Sequence, residues 1–252
     1  MFMLDVDNLW VRYKSLDAVR GVSFSLNAGE TLGLVGGSGC GKSSIAKVIA
    51  GLQPATAGDV RLDGQSLFNM NRAGRLAYHR GVQMVFQDAT GSLNPRMRVL
   101  DALKEVLEAH DWPRDKHARA LELLEWVGLT PDVGGAFPSS LSGGQCQRVN
   151  IARCLAVEPR VLVADEPVSA LDVSVQARVM NLLGDLQRKL GLALLLISHD
   201  LAMVRLVCQR VCVMEAGQIV ETGNAAEVME QPRHPATQAL VAAIPVLRDT
   251  EP

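Results

Sequence analysis

The first third of the chain alternates short apolar runs with turns. LDVDNLWVRY (4–13), AVRGVSFSL (18–26) and TLGLVG (31–36) are separated by polar stretches, including the turn Asn27-Ala28-Gly29. Runs of this length and alternation predict strands. From Ser44 the spacing becomes helical through SSIAKVIAGL, with Gly51 and Pro54 as stop signals. GDVRLDG (58–64) predicts a further hairpin segment, and VQMVF (82–86) a buried strand that ends at Gln87-Asp88. A loop rich in turn formers, ATGSLNPR, precedes amphipathic helices from Val99 to about Gly128.

The rest of the chain repeats one alternation. A helix to Val157 leads to VLVAD (161–165), the helix SVQARVMNLLGDLQRKL, the strand LALLLIS, the helix DLAMVRLVCQR, the strand RVCVME and the hairpin AGQIVETG. Continuous apolar strands alternating with helices predict an α/β fold with a parallel sheet covered on both faces. The helical block at 91–148 interrupts that alternation as an inserted lobe.

Composition narrows the class. A formal net charge of −2 implies no general affinity for nucleic acid. The longest apolar run, 192–197, falls far short of the roughly 20 residues that span a bilayer. MFMLDVDNLW has early acids and no basic segment, so it is not read as a signal peptide. Five cysteines at scattered spacings predict reduced thiols in the cytosol rather than a disulfide framework. Cys208 and Cys212 lack a matching second pair, so buried helical packing is expected of them rather than a metal.

Candidate chemistry begins at Gly36-Gly37-Ser38-Gly39-Cys40-Gly41-Lys42-Ser43, which fits G-x-x-x-x-G-K-[ST] between an apolar strand and a helix. Glycines let successive amides point at phosphate oxygens; Lys42 would bridge the β- and γ-phosphates and the Ser43 hydroxyl would hold Mg²⁺, with Ser44 following. VLVADE ends a second buried strand on Asp165, a candidate Mg²⁺ holder, and Glu166, free to take a proton from an attacking water. Gln87 and His199 end neighbouring strands, where Gln87 could meet both metal and water. A structural role is the competing reading for His199. Tyr13 is a candidate to stack on adenine, with Trp10 and Phe24 as rival aromatics. Within the loop, the helix N-terminus and Lys42 predict a reactive Cys40 thiol that nucleotide would shield; a thiol tucked under the loop is the alternative.

Leu141-Ser142-Gly143-Gly144-Gln145 heads a second helix and forms a second anion site. One ATP has one terminal phosphate, which a second anion site in the same chain does not easily serve; if two subunits pack head to tail, each LSGGQ faces the other's phosphate loop.

Together these motifs resemble the ATP-binding subunit of ABC transporters. GGSGCGKS matches the family's Walker A, VLVADE its Walker B, LSGGQ its signature and SALD (169–172) its D-loop; Gln87, His199 and Tyr13 match its Q-loop, switch-histidine and adenine-stacking positions. The resemblance covers essentially the whole chain. It implies a P-loop NTPase core with a parallel sheet, an N-terminal antiparallel β part and an inserted helical subdomain: one domain, with 1–90 and 149–225 as core, 91–148 as signature lobe and 226–252 as tail. It implies ATP and Mg²⁺ as cofactors, a second ATPase subunit (paralogue or self), two integral-membrane permease subunits, an extracytoplasmic solute-binding protein acting indirectly, and a place on the cytoplasmic face of the inner membrane. FQDATGSLNPRMRV, ALDVSVQARV and ETGNAAEVMEQPRHPATQALVAAIP are similar to the oligopeptide, dipeptide and nickel importers. The sequence stops at Pro252 without the cysteine-bearing extension of many peptide-importing relatives, which leans toward nickel-type or other short members. Ala236 departs from the aromatic usual after His-Pro. A non-transport ABC protein of a soluble enzyme complex, such as the carbon–phosphorus lyase machinery, is the alternative. A free-standing kinase or GTPase is disfavoured, since no N-K-x-D guanine motif occurs and nothing in that class needs LSGGQ.

Overall fold

Two sheets meet across a shared core in the computed structural model, which describes residues 3–243. The smaller sheet starts with β1 (Leu4–Tyr13), antiparallel to β2 (Leu16–Leu26) with Leu4 opposite Leu26. Leu4, Val6, Leu9 and Val11 turn inward, and an irregularity between Val6 and Leu9 keeps the apolar set on one face.

β3 (Thr31–Gly36) is buried at every position and leads through a glycine-rich loop into α1 (Lys42–Ile49), two residues earlier than its apolar spacing predicted. β4 (Ala57–Leu62) and the short β5 (Gln65–Ser66) complete the smaller sheet in the order β2-β1-β4-β5.

α2 (Arg72–Gly81) had no counterpart in the sequence reading. Only Tyr78 and Gly81 are buried on it, so it shows little apolar stripe; its legible signal is Asn71, whose side chain accepts from Gly74 N. It delivers the chain to β6 (Val82–Val85). α3 (Val99–Ala109) and α4 (Lys116–Trp126) pack on each other and on α5 (Gly143–Leu155). β7 (Val161–Asp165), α6 (Val173–Leu190), β8 (Ala193–Ser198), α7 (Leu201–Val207), β9 (Arg210–Glu215) and β10 (Gln218–Asn224) follow, then α8 (Ala225–Glu230) and α9 (Pro235–Ala242). Carboxylates start several of these helices, with Asp172 accepting from Val175 N and Asp200 from Met203 N. Gly191 ends α6 at a left-handed φ of 64°.

The larger sheet has the order β10-β9-β3-β8-β7-β6, parallel except for the β10–β9 hairpin. Its strands alternate between two cores. Leu32, Leu34, Val161, Val163, Leu195 and Ile197 face α1 and the smaller sheet. Val35, Val85, Leu162, Ala164, Leu194 and Leu196 face the helices. This two-sided burial explains why the strands read as unbroken apolar runs. It also corrects one expectation: Cys208 ends α7, but Cys212 lies on β9, so the two thiols do not share a helix.

Candidate nucleotide site

Register brings the candidate residues to one edge. Val35 pairs with Ser198, Ile197 with Asp165, and Ala164 with Val85, so the chain segments leaving β3, β8, β7 and β6 emerge side by side. Ligands of open parallel sheets bind at this carboxyl edge.

The loop from Gly36 to Gly41 has positive φ at Gly36, Gly39 and Gly41 (155°, 77° and 105°). A Cβ on Gly41 would strike the Ala18 carbonyl, and one on Gly36 the Met214 carbonyl and the Cys40 sulfur. These two positions therefore require glycine for space as well as for backbone angle. Gly37, Ser38 and Gly39 are exposed. Lys42 is buried, and its ammonium donates to the carbonyls of Gly36 (2.8 Å) and Gly37 (2.9 Å). Cys40 is only 8% exposed, its sulfur 3.7 Å from Lys42 Nζ. The alternative of a thiol tucked beneath the loop is the one the structure bears out, and the expected easy alkylation is withdrawn.

Ser43 Oγ donates to Asp165 Oδ1 at 3.1 Å. Burial raises the Asp165 carboxyl above its ordinary value; the Ser43 hydrogen bond opposes that rise, Glu166 adds to it, and Lys47 and Lys42 oppose it. A hydroxyl and a desolvated carboxylate, both hard oxygen donors beside a phosphate loop, suit Mg²⁺, which keeps few protein ligands and shares the rest with water and phosphate. No cluster of three or more metal-binding acids, histidines or cysteines occurs among the described residues, so a dedicated all-protein cage is not what this site offers.

Glu166 leaves β7 with a positive φ of 46°, its amide held by Ile197 O at 3.0 Å. That turn aims the carboxylate along the edge. Gln87 Nε2 donates to Glu166 Oε2 at 3.0 Å and to Ser169 Oγ at 3.2 Å, while His199 Nδ1 lies 3.3 Å from Glu166 Oε1. Gln87, His199 and Glu166 thus form one polar group, which favours the site role of His199 over a purely structural one. Ser169 was quoted within SALD without a role of its own; nothing in its local pattern announces the contact.

Tyr13 is 44% exposed at the end of β1, and its hydroxyl meets Ser44 Oγ at 3.2 Å and donates to Gln53 Oε1 at 2.5 Å. Phe24 is buried, and the Trp10 indole donates to Asn8. Of the three aromatics, Tyr13 is the one hydrogen-bonded to the helix that follows the phosphate loop.

Ser142 caps α5 in a reciprocal box, accepting from Gln145 N while its own amide donates to Gln145 Oε1. Gly144 is buried where a Cβ would strike Val175 of α6, and Gly143 approaches Leu171. Ser142, Gly144, Gln145 and Arg148 line a cleft of about 410 Å³, whereas Gly37, Ser38, Gly39 and Cys40 line another of about 420 Å³. No hydrogen bond among the described residues joins LSGGQ to the phosphate loop of the same chain. Two further residues tie α5 to the loop after Gln87: Asn150 Nδ2 donates to Ala89 O at 2.6 Å and Arg153 Nη1 to Ser92 O at 2.7 Å. Sequence reasoning missed both, because each lies inside a helix whose loop partner is 61 residues away.

Fold and site define a nucleotide-binding protein of the phosphate-loop class, with a second glycine-rich helix start set apart from the loop. Residues 19–169 match the model of the ABC transporter family, and the chain belongs to that family. It is 46% identical over 240 residues to the oligopeptide transport ATP-binding protein OppF of Escherichia coli (strain K12), covering 94% of this chain and 72% of that one. It is 47% identical over 236 residues to OppF of Bacillus subtilis (strain 168), covering 92% and 77%. Among solved structures it is similar to the ATP-binding cassette MJ0796, a dimer in a post-hydrolysis state bound to ADP and Pi, with TM-score 0.79, 28% identity, and 88% and 99% of the two chains covered. The chain is an ATPase subunit, with ATP and Mg²⁺ as its cofactors, and cassettes similar to it form dimers. No helix among the described residues is long and apolar enough to cross a membrane.

Proposed function

We propose that this chain hydrolyses ATP to energise a peptide importer from the cytoplasmic face of the membrane. The observation that carries the reading is the convergence of Gln87 and His199 on Glu166, beside the Ser43–Asp165 pair and the phosphate loop. The similarity to oligopeptide transport ATP-binding proteins supports peptides over nickel as the cargo.

The loop amides of Gly37 to Ser43 cradle the phosphates, Lys42 neutralises their charge, and Tyr13 stacks on the adenine. Ser43, Asp165 and Gln87 hold Mg²⁺, which when bound neutralises charge on the phosphate oxygens. Glu166 accepts the proton of the attacking water; His199 and Gln87 fix its two carboxylate oxygens. Ser142, Gly143, Gly144 and Gln145 complete the site of a second ATPase subunit, a copy or a paralogue, packed head to tail. Two permease subunits receive the motion, and an extracytoplasmic binding protein presents the cargo to them. In this reading 1–90 and 149–225 are the core, 91–148 the signature lobe and 226–252 the tail; residues 244–252 of that tail lie outside the described structure.

Coupling to the permease falls on residues 96–100. Arg98 is fixed there by its bond to Gly135 O (2.7 Å) and its approach to the Phe137 ring (5.0 Å); Met97 beside it is half-buried, and Leu93 packs inward. Met97→Glu is expected to leave the isolated subunit's ATPase nearly unchanged and to abolish substrate-stimulated ATPase and uptake in the assembled transporter. Uptake at the unmodified rate would remove this surface from coupling. If purification never brings an integral-membrane protein with the chain, the importer reading gives way to a soluble complex.

A further inference from the structure

The tail helix α9 reaches back to the phosphate loop. Ala236, Ala239 and Leu240 form one wall of the cleft of about 420 Å³ whose other walls are Gly37, Ser38 and Gly39 of the loop and Met214, Glu215 and Ala216 of the β9–β10 turn. These tail residues therefore stand opposite the exposed stretch of loop that receives phosphate.

Leu240 and Val241 pack α9 on the core, while one carboxylate fixes where the helix begins. Glu221, on β10, accepts from the backbone amides of Arg233 (Oε1, 3.0 Å) and His234 (Oε2, 3.0 Å). His234 Nδ1 then caps α9 by accepting from Ala236 N at 3.2 Å, and Gln238 Nε2 closes the turn onto Pro232 O at 3.1 Å. Both oxygens of Glu221 are committed to fixing where the helix begins.

The same hairpin grips the phosphate loop from its other end. Gly217, in the turn before β10, donates to Cys40 O at 3.2 Å, and the Met214 carbonyl fills the space beside Gly36. These bonds run from the loop through Gly217, β10 and Glu221 to the start of α9, which then faces Ser38 and Gly39 across the cleft. Loop and helix are thereby placed by one shared hairpin, so ordering one favours ordering the other.

We propose that Glu221 is a positioning residue for nucleotide binding: by fixing the start of α9 it holds the tail helix against the phosphate loop, and this docked helix keeps the loop in its phosphate-receiving shape. The inference rests on the ATP-binding reading given above and adds the tail to the nucleotide site. Glu221 touches neither the loop nor nucleotide, so its effect falls on affinity rather than on the chemical step.

The test uses the full chain with Glu221→Ala, Glu221→Gln and Ala239→Trp. Glu221→Ala leaves two amides without their acceptor and is expected to raise KM for ATP about 5–10-fold with kcat changed less than about twofold. Glu221→Gln keeps one acceptor oxygen and should fall between Ala and the unmodified chain. Ala239→Trp, on the same wall of the cleft, leaves the anchor intact but crowds the cleft, and should raise KM as well. Hydrogen exchange without nucleotide supplies an independent reading: amides of residues 37–42 should exchange about tenfold faster in Glu221→Ala. Unchanged KM and unchanged loop exchange in both Glu221→Ala and Ala239→Trp, with only a lowered Tm, would overturn the proposal and leave α9 a stabilising element. A chain that binds no ATP in any form overturns the ATP-binding reading instead, and the loop-exchange comparison then decides the tail–loop linkage by itself.

Discussion

Gln87 Nε2 donates to Glu166 Oε2 across 3.0 Å, joining residues 79 positions apart at the ends of adjacent strands. With His199 on the other oxygen, the carboxylate has one orientation, directed along the sheet edge. A group held this way serves as a base only if it is the proton acceptor itself. Glu166→Gln is therefore expected to retain ATP affinity and lose roughly 10²–10⁴ in turnover, the usual worth of such a group. ATP that is bound and not consumed should accumulate an ATP-dependent dimer on sizing chromatography. Undiminished turnover would exclude Glu166 as the base.

Asp165 carries the opposite signature. Burial holds its carboxyl above the ordinary value, so its charge is disfavoured in the folded chain. A raised acid weakens the fold where it is ionised, and that weakening is relieved as pH falls through its raised value toward the ordinary 3.8. Asp165→Asn should then raise Tm at pH 7. The gain should shrink steadily on acidification, while Mg²⁺-dependent hydrolysis is lost at every pH. A variant less stable than its parent at pH 7 would contradict the assignment of burial as the dominant cause.

All five cysteines are buried. Burial raises the thiols of Cys154 and Cys208 to about 12, which removes the thiolate that disulfide reagents attack. Ellman titration of the native chain should find less than about one reactive thiol, rising to five after denaturation, with little further protection by Mg-ATP. Rapid native modification of Cys40 that ATP prevents would restore the exposed-thiol reading.

Ser142 has two separable duties. Its hydroxyl caps α5, so Ser142→Ala should cost about 1 kcal/mol of stability. In the proposed head-to-tail pair Ser142 faces the partner's nucleotide, so ATP affinity of the isolated subunit should stay unchanged while hydrolysis in the dimer falls. A matching loss of affinity in the isolated subunit would show that Ser142 serves its own chain's site.

The buried strands β3, β7 and β8 were legible because two-sided burial writes itself as an uninterrupted apolar run. The phosphate loop was legible because its glycines, such as Gly41, sit at angles and clearances that only glycine meets, at fixed spacing before Lys42. α2 was not, since a helix lying mostly in solvent needs little apolar periodicity and Asn71 is a weak sign alone. The contacts from Asn150 and Arg153 to the loop after Gln87 were invisible for another reason. They depend on how a helix docks, which no local spacing encodes, and the same holds for Glu221 and the start of α9.

The bonds from Asn150 to Ala89 and from Arg153 to Ser92 make the signature helix and the Gln87 loop one mechanical part. In a head-to-tail pair that part belongs half to one ATP and half to the other. A lesion such as Asn150→Ala in one gene copy would then spoil the sensing of one nucleotide and misplace the signature over its neighbour. Mixed with normal chains, the altered chain should poison every assembly it enters, so its inheritance would be dominant rather than recessive, and the extent of that dominance would count the copies of this chain in each transporter.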